Sequence, residues 1–219
     1  MTGTTEINRR QLKTRSRAWP TMIARWLTGA GLRPNQISVL SILFALAATL
    51  NFSAGRSAAG WEAARWLILA AFCIQLRLLC NLLDGLLAIE GGLKTKTGDL
   101  YNEIPDRIAD IAILLGAGLA LRDLPYGMSL AWTAAILAVL TAYVRLLGGS
   151  LRLIQDFGGP MAKQHRMFAI TVGALAAAIE VVLGGTIWSL YIALVVVALG
   201  SAVTLVRRTL RVARELSNR

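Results

Sequence analysis

Six apolar segments, each long enough to cross a bilayer as a helix, constrain the fold of this chain more than any other feature of its sequence. They lie at residues 36–54, 64–89, 98–121, 128–147, 167–183 and 187–206. A helix needs about 20 mostly apolar residues to span the hydrocarbon core. Only 16% of the residues are charged, whereas soluble domains carry roughly 25%. The sequence therefore predicts an all-α integral membrane protein with six transmembrane helices.

An amphipathic helix is predicted before the first span. Residues 18–33 place apolar side chains at helical spacing between flanking arginines: Trp19, Met22, Ile23, Trp26 and Leu27, with Arg17 and Arg25. Such a helix typically lies in the membrane interface, although a short buried helix has the same pattern. The predicted organisation is a basic, flexible N-terminus (1–17), one membrane domain of interfacial helix and six spans (18–206), and a basic cytoplasmic tail (207–219).

The lysines and arginines are distributed unevenly between the two sides of the predicted membrane domain. The N-terminal region, the second and fourth connections and the C-terminal tail together hold 19 of the 23. The positive-inside rule therefore predicts a multi-pass protein of the cell (inner) membrane with both termini cytoplasmic. The net charge of +11 falls at the ends of apolar runs, which favours the lipid bilayer and its anionic headgroups over nucleic acid as the partner.

Half of the acidic residues occupy one stretch between the second and third apolar segments. Of the 12 aspartates and glutamates in the chain, six lie between residues 81 and 110: Asp84, Glu90, Asp99, Glu103, Asp106 and Asp110. Acids at membrane depth are costly and usually mark a functional site.

Helical spacing places these polar residues on two faces. Arg77, Asn81, Asp84 and Ala88 share one face of the second span, and Asp99, Asn102 or Glu103, Asp106 and Asp110 share one face of the third. A short turn joins the two spans, so their polar faces are expected to meet in a pocket at the cytoplasmic side. Converging oxygen ligands suit Mg²⁺, Mn²⁺ or Ca²⁺. The alternative is that the acids pair with Arg77, Arg107 and Arg145 and hold the helices together, or face water at a helix end.

The same stretch resembles the signature of the CDP-alcohol phosphotransferase family, Asp-x2-Asp-Gly-x2-Ala-Arg-x8-Gly-x3-Asp-x3-Asp. Here the frame is kept without a gap, and five of its eight positions match; it reads Asn81, Asp84, Gly85, Ala88, Ile89, Gly98, Asn102 and Asp106. The chain length and the amphipathic N-terminal helix are also similar to that family, so the resemblance covers most of the chain.

The resemblance implies a membrane transferase of phospholipid biosynthesis. Such an enzyme passes a phosphatidyl group from a CDP-linked donor, here CDP-diacylglycerol, to a small polar alcohol and releases CMP. In the family, four aspartates hold two divalent ions on the CDP diphosphate, and the fourth is also the proposed base. By position, Asp84 is a metal ligand and Asp106 is both metal ligand and catalytic base. Gly85, Ala88 and Gly98 would shape the nucleotide pocket, and a homodimer is implied.

The chain departs from the signature where Asn81 and Asn102 replace the first and third aspartates. An amide oxygen still binds Mg²⁺ or Mn²⁺ but brings no charge, so one or two ions are expected as cofactor. Glu103, next to Asn102, and Asp110, one turn beyond Asp106, are candidate substitutes.

Basic residues supply further candidates for binding a polyanionic substrate. Ile89 replaces the family arginine, and Arg77 is a candidate source of positive charge for a phosphate in its place. Arg145 ends the fourth span and resembles a family position that binds acceptor or phosphate, and Lys163 lies in the next connection. Two functions stay open: a divalent-metal-dependent transferase, or a catalytically impaired relative that binds a CDP-lipid or headgroup without turnover.

Overall fold

The computed structural model describes residues 18–90, 92 and 97–218, and the secondary structure of this part is helical. The helices are α1 (Ala18–Gly29), α2 (Pro34–Arg56), α3 (Gly60–Glu90), α4 (Gly98–Ala120), α5 (Gly127–Ser150), α6 (Lys163–Val182) and α7 (Trp188–Ser217). The predicted flexible N-terminus (1–17) and nearly all of the predicted turn at 91–96 lie outside the described residues.

The long helices coincide with the six predicted apolar segments, and the all-α integral membrane fold class is confirmed. Several boundaries differ: α3 begins at Gly60 and α6 at Lys163, each four residues before the predicted start, and α7 continues to Ser217, past the predicted end at 206. Ala162 is extended, and its carbonyl accepts the backbone N–H groups of His165 and Arg166. The polar residues expected in a loop therefore form the first turn of α6, where Arg166 is buried.

Five of the described helices are long and apolar enough to cross a membrane, namely α2, α3, α5, α6 and α7. The 23-residue α4 has a similar length, which corresponds to about 35 Å at 1.5 Å per residue. The helix α4 is less apolar than these five because its N-terminal part carries acidic residues. Of these, Asp106 and Asp110 are buried.

Helix contacts close α2–α7 into a ring in the order α2, α3, α6, α7, α5, α4 and back to α2. The helices α3 and α4 follow each other in sequence but barely touch along their backbones. They lie on either side of α2, and side chains from both reach the centre of the ring.

Small residues allow close helix crossings within the ring. A Cβ added to Gly116 of α4 would lie 2.8 Å from Thr49 Cα of α2, and one added to Gly118 would lie 2.3 Å from Ala131 Cβ of α5. Both distances are shorter than a carbon–carbon contact. Gly116 and Gly118 therefore pack helices against each other within the chain.

The short helix α1 lies against α3 through one side. Ala24 is buried, and Ile23 and Leu27 pack against a cluster formed by Ile37, Cys80, Leu83, Leu86 and Leu87. Its other side exposes Met22 and Trp26, at 67% and 72%. This two-sided arrangement is that of a helix lying along a membrane surface.

Candidate functional site

A buried cluster of charged side chains lies where α3, α4 and α6 face the centre of the ring. Asp110 is at the middle of this cluster. Its Oδ1 accepts a hydrogen bond from Arg77 Nη2 at 2.7 Å, and its Oδ2 accepts one from Arg166 Nη2 at 2.8 Å. The three residues come from three helices, and each is at most 2% exposed. Each oxygen of the carboxylate thus has its own guanidinium partner.

The guanidinium of Arg77 lies deep in the structure. Its Nη2 also contacts Asp106, reaching both Oδ1 and the backbone carbonyl at 3.3 Å. Its Nε and Nη1 are buried without a hydrogen-bond partner among the described residues. Arg77 was predicted to offer positive charge to a phosphate; in this structure it faces the carboxylates of α4.

Asp106 is the second carboxylate of the cluster and is 5% exposed. Its Oδ2 contacts Lys163 Nζ at the start of α6, and Arg107 Nη2 lies 3.8 Å away. Four predicted site residues (Arg77, Asp106, Asp110 and Lys163) therefore meet at one place.

Asp84 lies on the α3 side of the site and is 6% exposed. Its Oδ2 accepts a 2.6 Å hydrogen bond from Ser38 of α2. Ser38 was absent from the predicted site, because a serine in an apolar helix gives no sign of which helix it faces.

The two asparagines of the motif differ in their surroundings. Asn81 is half-buried, and its Nδ2 has no hydrogen-bond partner in the described part of the chain. Asn102 is exposed at the start of α4. The small motif residues Gly85, Ala88 and Gly98 are all partly accessible. The side chain of Ile89 lies outside the described residues.

A second ion-pair group lies beside the first, between α4 and α5. Arg145 Nη2 binds both carboxylate oxygens of Glu103, at 2.7 and 2.6 Å. Arg145 also donates to Gln155 at 3.2 Å and lies 5.0 Å from the centre of the Phe157 ring. Arg107 approaches Glu103 at 3.5 Å. The predicted residues Glu103 and Arg145 therefore contact each other directly.

Arg208 of α7 completes the polar interior, and sequence analysis did not select it. Its Nε donates to the carbonyl of Gly158 at 3.0 Å, and its Nη1 donates to the carbonyl of Thr141 at 2.8 Å. It is 6% exposed, although it belongs to the segment predicted as a cytoplasmic tail. Arg166 is likewise outside the predicted site, because an arginine at the end of a span can equally extend to lipid headgroups.

The sequence alternative, in which the acids pair with arginines, also describes these contacts. Arg77 pairs with Asp106 and Asp110, and Arg107 and Arg145 pair with Glu103. The acids of α4 thus join helices as well as forming a polar site. The two descriptions differ only in whether the site also takes a ligand.

The side chains at the signature positions offer oxygen atoms of the kind that a divalent ion binds. Two carboxylates and the amide oxygens of Asn81 and Asn102 make an all-oxygen set, which suits Mg²⁺ or Mn²⁺. The buried Nδ2 of Asn81 donates to no acceptor among the described residues. No group of three or more His, Cys, Asp or Glu side chains suited to a metal occurs in that part either. The residues therefore fit an ion whose charge is met by two carboxylates.

A closed ring of membrane helices with a charged interior defines a multi-pass membrane protein built around a polar site. A sequence model of one family, described as CDP-alcohol phosphatidyltransferase, matches residues 32–213. The chain belongs to the CDP-alcohol phosphatidyltransferase family.

Solved structures of PgsA1, the phosphatidylinositol phosphate synthase of Mycobacterium tuberculosis, share this fold. The form with CDP-DAG bound is 25% identical, with a TM-score of 0.74 over 88% of this chain and 92% of that chain. The form in complex with manganese and citrate is 23% identical, with a TM-score of 0.75 over 88% of both chains.

A curated relative is the inner membrane protein YnbA of Escherichia coli (strain K12). It is 31% identical over 113 residues, which are 51% of this chain and 54% of YnbA. The match spans about half the length of each protein, so it supports the membrane class and leaves the activity to be argued from the site.

Proposed function

We propose that this protein transfers a phosphatidyl group from a CDP-linked donor, CDP-diacylglycerol, to a small polar alcohol and releases CMP. The observation that carries the proposal is the position of Asp84 and Asp106. They match two aspartates of the family signature, they lie on α3 and α4, both are buried, and Asp106 contacts Lys163. The CDP-DAG found in PgsA1 supports the choice of donor.

The reaction forms one bond and breaks one bond at phosphorus. The acceptor hydroxyl oxygen attacks the donor phosphorus that bears the lipid, and the bond from that phosphorus to the oxygen bridging to CMP breaks. Asp106 accepts the hydroxyl proton, and the electron pair of the broken bond leaves with CMP. A base must lie within hydrogen-bond reach of the proton that it takes, and the Oδ2 atom of Asp106, now held by Lys163, is the atom assigned to this role.

A divalent ion, Mg²⁺ or Mn²⁺, would be held by Asp84, Asp106, Asn81 and Asn102. Such an ion supplies positive charge to the diphosphate as charge develops on the leaving group. The protein's own residues position the donor. Ser38 fixes the carboxylate of Asp84, and Gly85, Ala88 and Gly98 leave room for the nucleotide. Lys163 and Arg145 supply positive charge for substrate phosphates.

The test measures CMP release from CDP-diacylglycerol by purified protein with a panel of small alcohols and Mg²⁺ or Mn²⁺. Asp84→Ala and Asp106→Ala should each abolish release. Asp123→Ala is the matched control, because Asp123 is an exposed carboxylate between α4 and α5, paired with Arg56, and it should leave release intact. Full activity in both site variants would refute the mechanism.

A second candidate function is binding of a CDP-lipid or headgroup without turnover. The observation that favours it is the pair of asparagines, Asn81 and Asn102, at two aspartate positions of the signature. Calorimetry with CDP-diacylglycerol and Mg²⁺, beside the CMP-release assay, separates the two functions. Saturable binding with no CMP release across the alcohol panel would establish the binding function.

Orientation and assembly belong to the same proposal. Cytoplasmic termini follow from the charge distribution, and a homodimer follows from the family resemblance. Reporter fusions at residues 1 and 219 test the orientation, and cross-linking in native membranes tests the dimer. Periplasmic termini or an exclusively monomeric chain would contradict these points.

A further inference from the structure

The charges at the centre of the ring balance before any ion binds. Three carboxylates are buried there, Asp84, Asp106 and Asp110, and the last two pair with three cations: Arg77, Lys163 and Arg166. Asp84 is hydrogen-bonded to Ser38. Asp110 is shared by Arg77 and Arg166, and Asp106 is shared by Arg77 and Lys163. The next group outward, Glu103 with Arg107 and Arg145, is positive by one charge.

This balance limits how many divalent ions the site can take. One divalent ion would make the centre doubly positive, which matches a donor diphosphate with one negative charge on each phosphate. A second divalent ion would leave two further positive charges without a counterion in a buried site. Like charges held close together at low dielectric repel each other strongly, so the second ion is disfavoured.

The asparagines explain why the balance differs from that of a four-aspartate site. Asn81 and Asn102 each contribute an oxygen without a charge, so two negative charges are missing at the signature positions. The cations beside the remaining carboxylates are built into the helices: Arg77 of α3 is 0% exposed, and Lys163 of α6 contacts Asp106 directly. Among the described residues, Asp106 and Asp110 are already paired with these cations.

We propose that the site binds a single divalent ion, with Lys163 and Arg77 providing the positive charge that a second ion would otherwise bring to Asp106. This inference rests on the proposed function for the identity of the ligand.

The experiment is a Mn²⁺ titration of detergent-purified protein, followed by electron paramagnetic resonance of the free ion, with and without CDP-diacylglycerol. With CDP-diacylglycerol bound, the expected result is one Mn²⁺ per wild-type chain, because the donor diphosphate balances the two charges that one ion adds. The double variant Asn81→Asp with Asn102→Asp restores two carboxylates and should bind two. Gln164→Glu adds an acid beside Lys163 at an exposed position, and it should still bind one.

The outcomes separate the stoichiometry from the enzymatic function. Two Mn²⁺ ions per wild-type chain would overturn the inference, as would a folded double variant that still binds one. If the double variant does not fold, the wild-type count alone decides between one ion and two. CMP release is measured separately, so one bound ion without CMP release would support the stoichiometry and count against the transferase.

Discussion

Arg77 and Asp110 form a 2.7 Å hydrogen-bonded ion pair at the centre of the helix ring, with exposed fractions of 0% and 1%. The pair joins α3 to α4, which lie on either side of α2 and make few backbone contacts with each other. Arg166 binds the other oxygen of the same carboxylate at 2.8 Å. A single aspartate therefore ties three helices together at the base of the candidate site.

Replacing Arg77 should destabilise the protein strongly. Arg77→Met removes one of the two cations that Asp110 contacts, and breaking a buried ion pair costs about 3–5 kcal/mol. The midpoint of thermal unfolding in detergent should fall by about 6 °C or more. Arg65→Met is the matched control on the same helix, because Arg65 is 62% exposed and meets Glu62 only at 3.5 Å. Equal midpoints for the two variants would contradict the assigned role.

Ser38 should matter for ion binding rather than for the fold. Ser38→Ala removes the 2.6 Å hydrogen bond that orients Asp84. Loss of such a partner of a metal ligand typically lowers metal affinity by about 10-fold or more. Calorimetry with Mn²⁺ measures this, with Ser41→Ala as the control. Ser41 is also buried on α2, but its hydroxyl donates to the carbonyl of Ser38. The Mn²⁺ affinity of the Ser41→Ala variant should therefore stay near that of the wild type.

Arg208 should hold the connection between α5 and α6 in place. Its bonds to the carbonyls of Gly158 and Thr141 join α7 to that connection and to α5. Arg208→Met should therefore increase amide hydrogen exchange across residues 151–162 by about 10-fold, which corresponds to roughly 1.4 kcal/mol. Arg207→Met removes the same charge from an exposed neighbouring position. Its exchange pattern should match the wild type, and a parallel increase would show a general charge effect.

Gly116 should not tolerate a side chain. Gly116→Ala places a Cβ 2.8 Å from Thr49 Cα, and overpacking of this kind costs about 1–3 kcal/mol. The unfolding midpoint should fall by about 4 °C. Gly29→Ala, at the end of α1, meets nothing within 4 Å and should cause no fall. An unchanged midpoint for Gly116→Ala would mean that α2 and α4 separate easily at this crossing.

The helices of this fold are largely predictable from the sequence. Apolar runs of the right length can only span the membrane as helices, since lipid satisfies no backbone hydrogen bonds. The segment before Arg166 was assigned to a loop because Lys163, His165 and Arg166 are polar. In the structure this polar turn is helical and Arg166 donates to Asp110 from it, a contact between distant parts of the chain that local sequence does not show.

The composition of the site was predictable only in part. Helical spacing shows which residues share a face of one helix, so it grouped Arg77 with Asp84 and grouped Asp106 with Asp110. It does not show which helix lies opposite. Ser38, Arg166 and Arg208 reach the polar interior from α2, α6 and α7, and their sequence neighbourhoods look like those of any residue in or near a span.

The charged first half of α4 has a consequence for how the chain enters the membrane. An arginine or aspartate at the centre of a lone span costs about 2.5–3.5 kcal/mol on insertion. Arg77 of α3 and Asp110 of α4 would each incur that cost alone, but they neutralise each other once both helices are present. We therefore expect the translocon to release α3 and α4 to the lipid as a paired unit, and α4 to depend on α3 for its place in the bilayer.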